Sequence, residues 1–226
     1  MGHKVHPKIF RLAVMRNWDA RWFAKKHFAS FLREDVELRD FFMKTLKDAL
    51  LDRVEIDRTR QNLTITIYAA KPGFIIGRGG AGIEDLKKKI KQKFFSGKKT
   101  IFQINVKEIP RPSLSARVIA QQIAFDLEKR LPFRRSMKQS IERVLKSGAE
   151  GVKVVVAGRL NGAEIARIER LARGKIPMHN LRADIDFARI AAKTSFGSIG
   201  VKVWINRGEV FEKIEKREED FAKTTN

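Results

Sequence analysis

Cysteine is absent from the 226 residues, which removes disulfide frameworks, thiolate zinc sites and cysteine nucleophiles together. Histidine is scarce, and His3, His6, His27 and His179 show no metal-ligand spacing. No uninterrupted apolar run approaches the about 18 residues that a bilayer crossing requires. The N-terminus, Met1-Gly2-His3-Lys4, has no apolar stretch of the signal-peptide kind. It also carries His6 where a myristoylation signal needs Ser or Thr. Acidic residues are the other shortage, 26 against 48 lysines and arginines, leaving a net charge of +22. A balance that far from zero points to a polyanionic partner rather than to a fold. The expectation is a cytoplasmic protein bound to nucleic acid, with no membrane and no small-molecule substrate.

The charge is concentrated. Residues 1–26 hold seven bases and one acid, residues 71–99 nine and two, and residues 129–146 seven and one. Those 73 residues carry +19, and the other 153 carry only +3. A lysine run by itself reads as a solvated surface. Three separate blocks that hold nearly all the excess repel themselves unless phosphate lies close by.

Periodicity supplies the elements. Residues 1–26 mix bases with Trp18, Trp22 and Phe23 and read as an arm that orders against a partner. From His27 to Leu50 apolar residues recur at three or four, an amphipathic helix with a break expected near Asp35. Val54–Asp57 and Leu63–Tyr68 alternate as a hairpin with its turn at Gln61-Asn62. Ile83, Leu86, Ile90 and Phe94 line a helix whose other side is lysine, and Ile101–Val106 forms a strand. Pro110-Arg111-Pro112 stops helix and strand alike. Beyond it, Ser113 can cap one helix, and Pro132 opens a second with Phe133, Met137, Ile141 and Leu145 on one face. Gly151–Val156, Leu181–Phe187 and Val201–Ile205 read as strands, and Asn161 with Glu164 as the capping box of a short helix. The fold class is α+β in two domains, the second an α/β sandwich on a mixed sheet.

Ile76-Gly77-Arg78-Gly79-Gly80-Ala81-Gly82-Ile83 is the most informative stretch. Gly77, Gly79 and Gly82 match the G-x-G-x-x-G of dinucleotide-binding folds, with Glu108 near the place of a ribose-binding acid. That parse fails on context. Lys71-Pro72-Gly73 separates the preceding strand from the glycines, whereas a dinucleotide fold runs its strand straight into the turn. The other parse is a G-x-x-G loop between two short helices. Residues without side chains let a sugar–phosphate strand approach, the next helix points amides at phosphate, and Arg78 adds charge. Lys87 and Lys88 follow directly, and Ile76 and Ile83 would anchor the flanking helices in the core.

Helix-strand-strand-helix-helix-strand around Gly77-Arg78-Gly79-Gly80 resembles the prokaryotic-type (type 2) KH domain. The remainder is similar to the bacterial family of the third protein of the small ribosomal subunit. Met1–Pro7, Gly151–Lys153, Val156–Arg167, Leu181–Asp186 and Gly200–Ile205 carry the likeness, which spans about residues 1–208. The family's usual polar residue at position 6 is here His6. The implied division is a basic arm at 1–26, a KH domain at 27–109, a C-terminal ribosomal domain at 110–208 and a charged tail at 209–226.

The resemblance implies a non-enzymatic constituent of the small-subunit head that binds ribosomal RNA of the 3′ major domain and lines the channel where messenger RNA enters. It implies no cofactor. Arg134, Arg135 and Lys138 match the family's message-facing helix, and their spacing lets them share one outward face. Unwinding would be passive, since Gly97-Lys98-Lys99-Thr100 lacks the upstream glycine of an ATPase phosphate loop. The arm's Lys4, Lys8, Arg11 and Arg16 suit an extension folding onto RNA. Arg159, and Arg167 with Arg170 and Arg173 at helical spacing, fit either an RNA grip or a wetted face. The mixed surface near Trp204 reads as core or as a protein contact, with core the stronger reading. By family analogy the neighbours include the tenth and fourteenth small-subunit proteins. The rival reading is a free KH-type regulator or RNA-processing factor.

Overall fold

The computed structural model describes residues 4–59, 62–95 and 101–211. The chain begins with a short helix α1 (Pro7–Phe10) and a two-residue strand β1 (Ala20–Arg21). It forms two compact units, one running Trp18–Pro110, the other joining the residues up to Asn17 with those from Arg111 onward. The arm expected at 1–26 is divided at Asn17/Trp18 between the two units, and the expected tail lies, apart from residues 209–211, outside the described residues.

In the Trp18–Pro110 unit, α2 (Phe28–Thr45) is followed by the antiparallel pair β2 (Leu51–Arg58) and β3 (Asn62–Ala69). Gln61 of the expected turn lies outside the described residues, and Asn62 already begins β3. The helix does not break at Asp35. That residue is buried, and its carboxylate accepts from Trp22 Nε1 at 2.7 Å and from Arg58 at 3.0 Å, so burial leaves it paired. Two helices, α3 (Gly73–Ile76) and α4 (Ala81–Phe94), then lead to β4 (Ile101–Glu108), which pairs parallel to β3. The strand order is β1-β2-β3-β4. Leu38 and Phe42 of α2, Ile75 of α3, Leu86 and Ile90 of α4 and the inward residues of the sheet form one core.

The second unit sets α5 (Ala116–Glu128) and α6 (Phe133–Lys146) on one face of β5 (Gly151–Gly158), β6 (Arg167–Gly174), β7 (Ala183–Thr194) and β8 (Gly197–Glu209). The sheet runs β6-β5-β8-β7 and is antiparallel throughout, not mixed. Ser115, rather than Ser113, caps α5 by accepting from the Val118 amide at 3.3 Å. The short helix expected after Asn161 is a strand. Asn161 and Gly162 take positive φ, which turns the chain, and β6 then pairs with β5 along its whole length. Ile165 and Ile168 are exposed, so no apolar stripe was available to hold a helix down.

Residues 4–17 pack onto this second unit through charge. Arg11 is buried and donates to the carbonyls of Pro7, Pro177, Met178 and Asn180 at 2.7–3.4 Å. Asp186, also buried, accepts from Lys8 at 2.8 Å, Arg207 at 3.0 Å, Arg16 at 3.4 Å and the Ala116 amide at 2.8 Å. Asp184 adds a second carboxylate to Arg16 at 3.3 Å. Burial alone would raise the Asp186 carboxyl, but Lys8, Arg207 and Arg16 outweigh it and hold the group well below the usual carboxylate range.

A depressed carboxylate stabilises the fold fully above its unfolded value, near 3.9, and less as pH falls below that. Asp186→Asn is expected to cost about 2–4 kcal/mol at neutral pH by leaving three cations short of their counter-charge. Urea unfolding measured from pH 7 to pH 3 should show the gap between wild type and variant closing below about pH 4. A gap independent of pH would show that the carboxylate's charge does not hold residues 4–17 in place.

Candidate RNA interface

The glycine loop is built as its sequence requires. Gly77, Gly79 and Gly80 have φ of 70°, 60° and 83°, the left-handed region where glycine carries no Cβ penalty. Gly80 caps α4 at its N-terminus. A Cβ on Gly79 or Gly80 would meet nothing within 4 Å, so the outer side of the loop is open. Gly82 differs: a Cβ there would lie 2.6 Å from the Ile75 carbonyl oxygen, so this glycine is what lets α3 and α4 cross closely. The helices are anchored by Ile75, Leu86 and Ile90. Ile76, expected as an anchor, is exposed, and Ile83 is half-buried. Phe74, 67% exposed, stands beside Ile76, so the loop has an uncovered apolar flank.

Around this loop the cations outnumber Glu84 and Asp85 and are held by no ion pair among the described residues. Arg78 and Lys88 are exposed and Lys87 is half-buried, and none has an ion pair among the described residues. Lys93 instead lies over the rings of Phe41 and Phe94, 5.4 Å from each centroid.

A second cationic surface is the outer side of α6. Phe133, Met137, Ile141 and Val144 are buried, which turns Arg134, Arg135 and Lys138 to solvent. Ser136 donates to Asp126 at 2.6 Å and fixes α6 against α5. Arg134 reaches Glu169 of β6 at 3.2 Å but stays 69% exposed, a pairing worth little in water. Arg134 and Arg167 each lie near the Phe133 ring, 5.6 Å and 5.8 Å from its centroid.

The remaining expected residues separate. Arg167 and Arg173 face the α6 side of β6, while Arg170 falls on the opposite face, so the three do not share one helical grip. Arg159 donates to the Ala163 carbonyl at 2.9 Å and lies 5.7 Å from the Phe196 ring. In the arm, Lys4 is exposed, whereas Lys8, Arg11 and Arg16 are engaged by the protein's own carboxylates and carbonyls. Arg11 is corrected outright: a buried guanidinium held by four carbonyls is structural. Trp204 is not core either, since it is half-buried beside Phe187, their rings 5.0 Å apart. The cations near it, Lys153, Arg189 and Lys202, were missed. Their signal was alternation with apolar residues along two strands, which reads equally as ordinary amphipathicity. Among the described residues no acid–histidine group could hold a metal ion, and no helix is long and apolar enough to cross a membrane.

A G-x-x-G loop between two helices on the β1–β4 sheet, with exposed lysine behind it, defines a KH-type RNA-binding unit. The KH-domain family model matches residues 37–114, and the model for the C-terminal domain of ribosomal protein S3 matches residues 123–205. Similarity extends over almost the full chain. It is 47% identical to small ribosomal subunit protein uS3 of Pediococcus pentosaceus, covering 95% of this chain and 94% of that protein. Against the protein of the same name from Syntrophomonas wolfei the values are 48%, 96% and 94%, and from Listeria monocytogenes 49%, 93% and 94%. The chain belongs to the small ribosomal subunit protein uS3 family, and it is a structural RNA-binding protein rather than an enzyme.

Two glycine variants separate packing from binding. Gly82→Ala is expected to destabilise the KH unit by about 1–3 kcal/mol through overpacking against backbone. Gly79→Ala meets only the left-handed penalty, about 1 kcal/mol. Urea unfolding read alongside RNA affinity checks this, and equal destabilisation by the two would remove the assigned role of Gly82.

Proposed function

We propose that this protein is a constituent of the small-subunit head, where it binds ribosomal RNA of the 3′ major domain and borders the channel through which messenger RNA enters. The observation that carries the reading is kinship at 47–49% identity over more than nine-tenths of the chain, joined to two exposed cationic surfaces. The G-x-x-G loop, with Gly77, Arg78, Gly79 and Gly80, cradles the backbone of an RNA strand, and Lys87 and Lys88 extend its field. Arg134, Arg135 and Lys138 project from a helix that Phe133 and Met137 lock down, so they present rigid charge to a moving strand. Such a face holds phosphates without reading bases, as a message of any sequence demands. Unwinding is then passive: the face grips one strand while translocation pulls. The tenth and fourteenth small-subunit proteins are the proposed neighbours, and the cytoplasm is the proposed compartment. Lys4, Arg159 and Arg167 are proposed as supporting phosphate contacts.

The rival, a free KH-type regulator, predicts a protein found mostly at the top of a sucrose gradient. Comigration with the small subunit in moderate salt is expected. Replacing Arg134, Arg135 and Lys138 together by Ala should leave that comigration unchanged, because all three side chains are exposed. The same triple variant should slow translation through structured messages and spare unstructured ones. Equal rates on both kinds of message would remove the message-holding role while leaving subunit membership intact.

A further inference from the structure

The sheet of the second unit has one face covered by α5 and α6; on the other face the N-terminal segment meets the β7 side, where the His6 ring sits edge-on against Phe187 at 4.9 Å, and the remainder has no helix over it. Strand register defines the uncovered face. Trp204 of β8 stands between Lys153 of β5 and Phe187 of β7 in one cross-strand row. In the adjacent row Arg170, Val155, Lys202 and Arg189 stand side by side across β6, β5, β8 and β7. The row beyond is Ile168, Ala157, Gly200 and Ala191, which is largely small and keeps the surface flat. None of these positions is acidic. Neighbouring strands lie about 4.8 Å apart, and like charges set directly opposite destabilise a sheet. Arg189 and Lys202 are such a pair, and Arg170 is only two strands from Lys202. None of the three has an ion pair among the described residues, whereas elsewhere in this unit close cations are neutralised by Asp184 and Asp186. The repulsion is not confined to one row. Lys153 stands over the Trp204 ring at 5.4 Å, and burial of its stem, then Lys4, then Arg170, lowers its proton affinity.

We propose that the rest of this sheet face is a second RNA-binding platform, on which an unpaired segment of ribosomal RNA stacks a base on Trp204 and lays phosphates along Arg170, Lys202 and Arg189. The inference rests on the ribosomal reading above and adds a site to it. Every base has a π-face, so an aromatic on a sheet accepts an unpaired strand, while a duplex hides its bases from it. The occupant is ribosomal RNA and not message, because stacking immobilises a strand and a message must slide. An acidic protein segment would satisfy the cations but would leave the Trp204 ring without a function.

The absence of native cysteine allows a single tethered probe. Small subunits are assembled with Lys202→Cys or, for comparison, Arg78→Cys, each carrying an iron chelate that generates hydroxyl radicals. Lys202→Cys is expected to cut ribosomal RNA at one unpaired segment and to leave bound message intact. A Lys202→Cys probe that cuts no ribosomal RNA, or cuts message alone, while Arg78→Cys still cuts, overturns the platform and leaves the ribosomal reading standing. If neither variant nor wild type sediments with the subunit, the ribosomal reading itself fails and the platform with it. In a second arm, the free full-length protein is titrated with an unstructured RNA oligomer. Arg170→Gln with Lys202→Gln should lower the slope of log affinity against log salt by about 1.4, at about 0.7 per phosphate contact. Trp204→Leu should weaken the single strand about tenfold and leave a blunt duplex unchanged. Unaltered slopes in the charge variant, whose exposed positions do not hold the fold, count equally against the proposal.

Discussion

A chain with +22 charges stays compact only where its few carboxylates meet the cations that burial cannot avoid. Asp186 is that meeting point. It touches Lys8, Arg16 and Arg207 and also accepts the first amide of α5, so one buried carboxylate joins residues 4–17, the start of a helix and the last strand. Around it Arg11 is held by carbonyls instead of carboxylates, which lets a guanidinium be buried with no acid in contact. The KH unit repeats the device on a smaller scale, with Asp35 between Trp22 and Arg58 and Glu34 completing the pair at 2.7 Å. Internal acids thus neutralise the structural cations, and the cations left over define the outer surfaces.

This sorting explains what the sequence could and could not disclose. The β2–β3 hairpin, the helix after the glycine loop and the paired helices after Pro112 were legible because their apolar residues recur at the period of the element they form. The G-x-x-G loop was legible because positive φ at three positions demands glycine, and glycine is visible in a sequence. Base composition was a poorer guide. Lys8 and Arg16 look the same in sequence as Lys87 and Lys88, and only their partners, 168 to 178 residues distant along the chain, distinguish a structural cation from an available one.

The strand β6 shows a different limit. Arg167, Arg170 and Arg173 have helical spacing, and Asn161 with Glu164 has the form of a capping box, so local signals agreed on a helix. What decided otherwise was non-local: an edge of β5 with eight residues to pair, and a left-handed turn at Asn161-Gly162 that delivers the chain to it. Trp204 was misread for the same reason. An aromatic in a strand of alternating valines reads as core until the neighbouring strands assign its face, and here they place it beside Phe187 and Lys153.

Three outer surfaces result, each with its own geometry. The glycine loop is a turn with an apolar flank, the face of α6 is a helical row of charges, and the second sheet face sets Trp204 among cations. Shape decides what each can hold, since charge is common to all. A turn with no side chains admits a backbone at close range. A helical row of charges touches phosphates and lets them pass. A sheet face with an aromatic ring retains bases. On the proposed reading the same excess charge serves anchoring and sliding in one protein, because the fold separates the cations onto surfaces that differ in whether a base can be held.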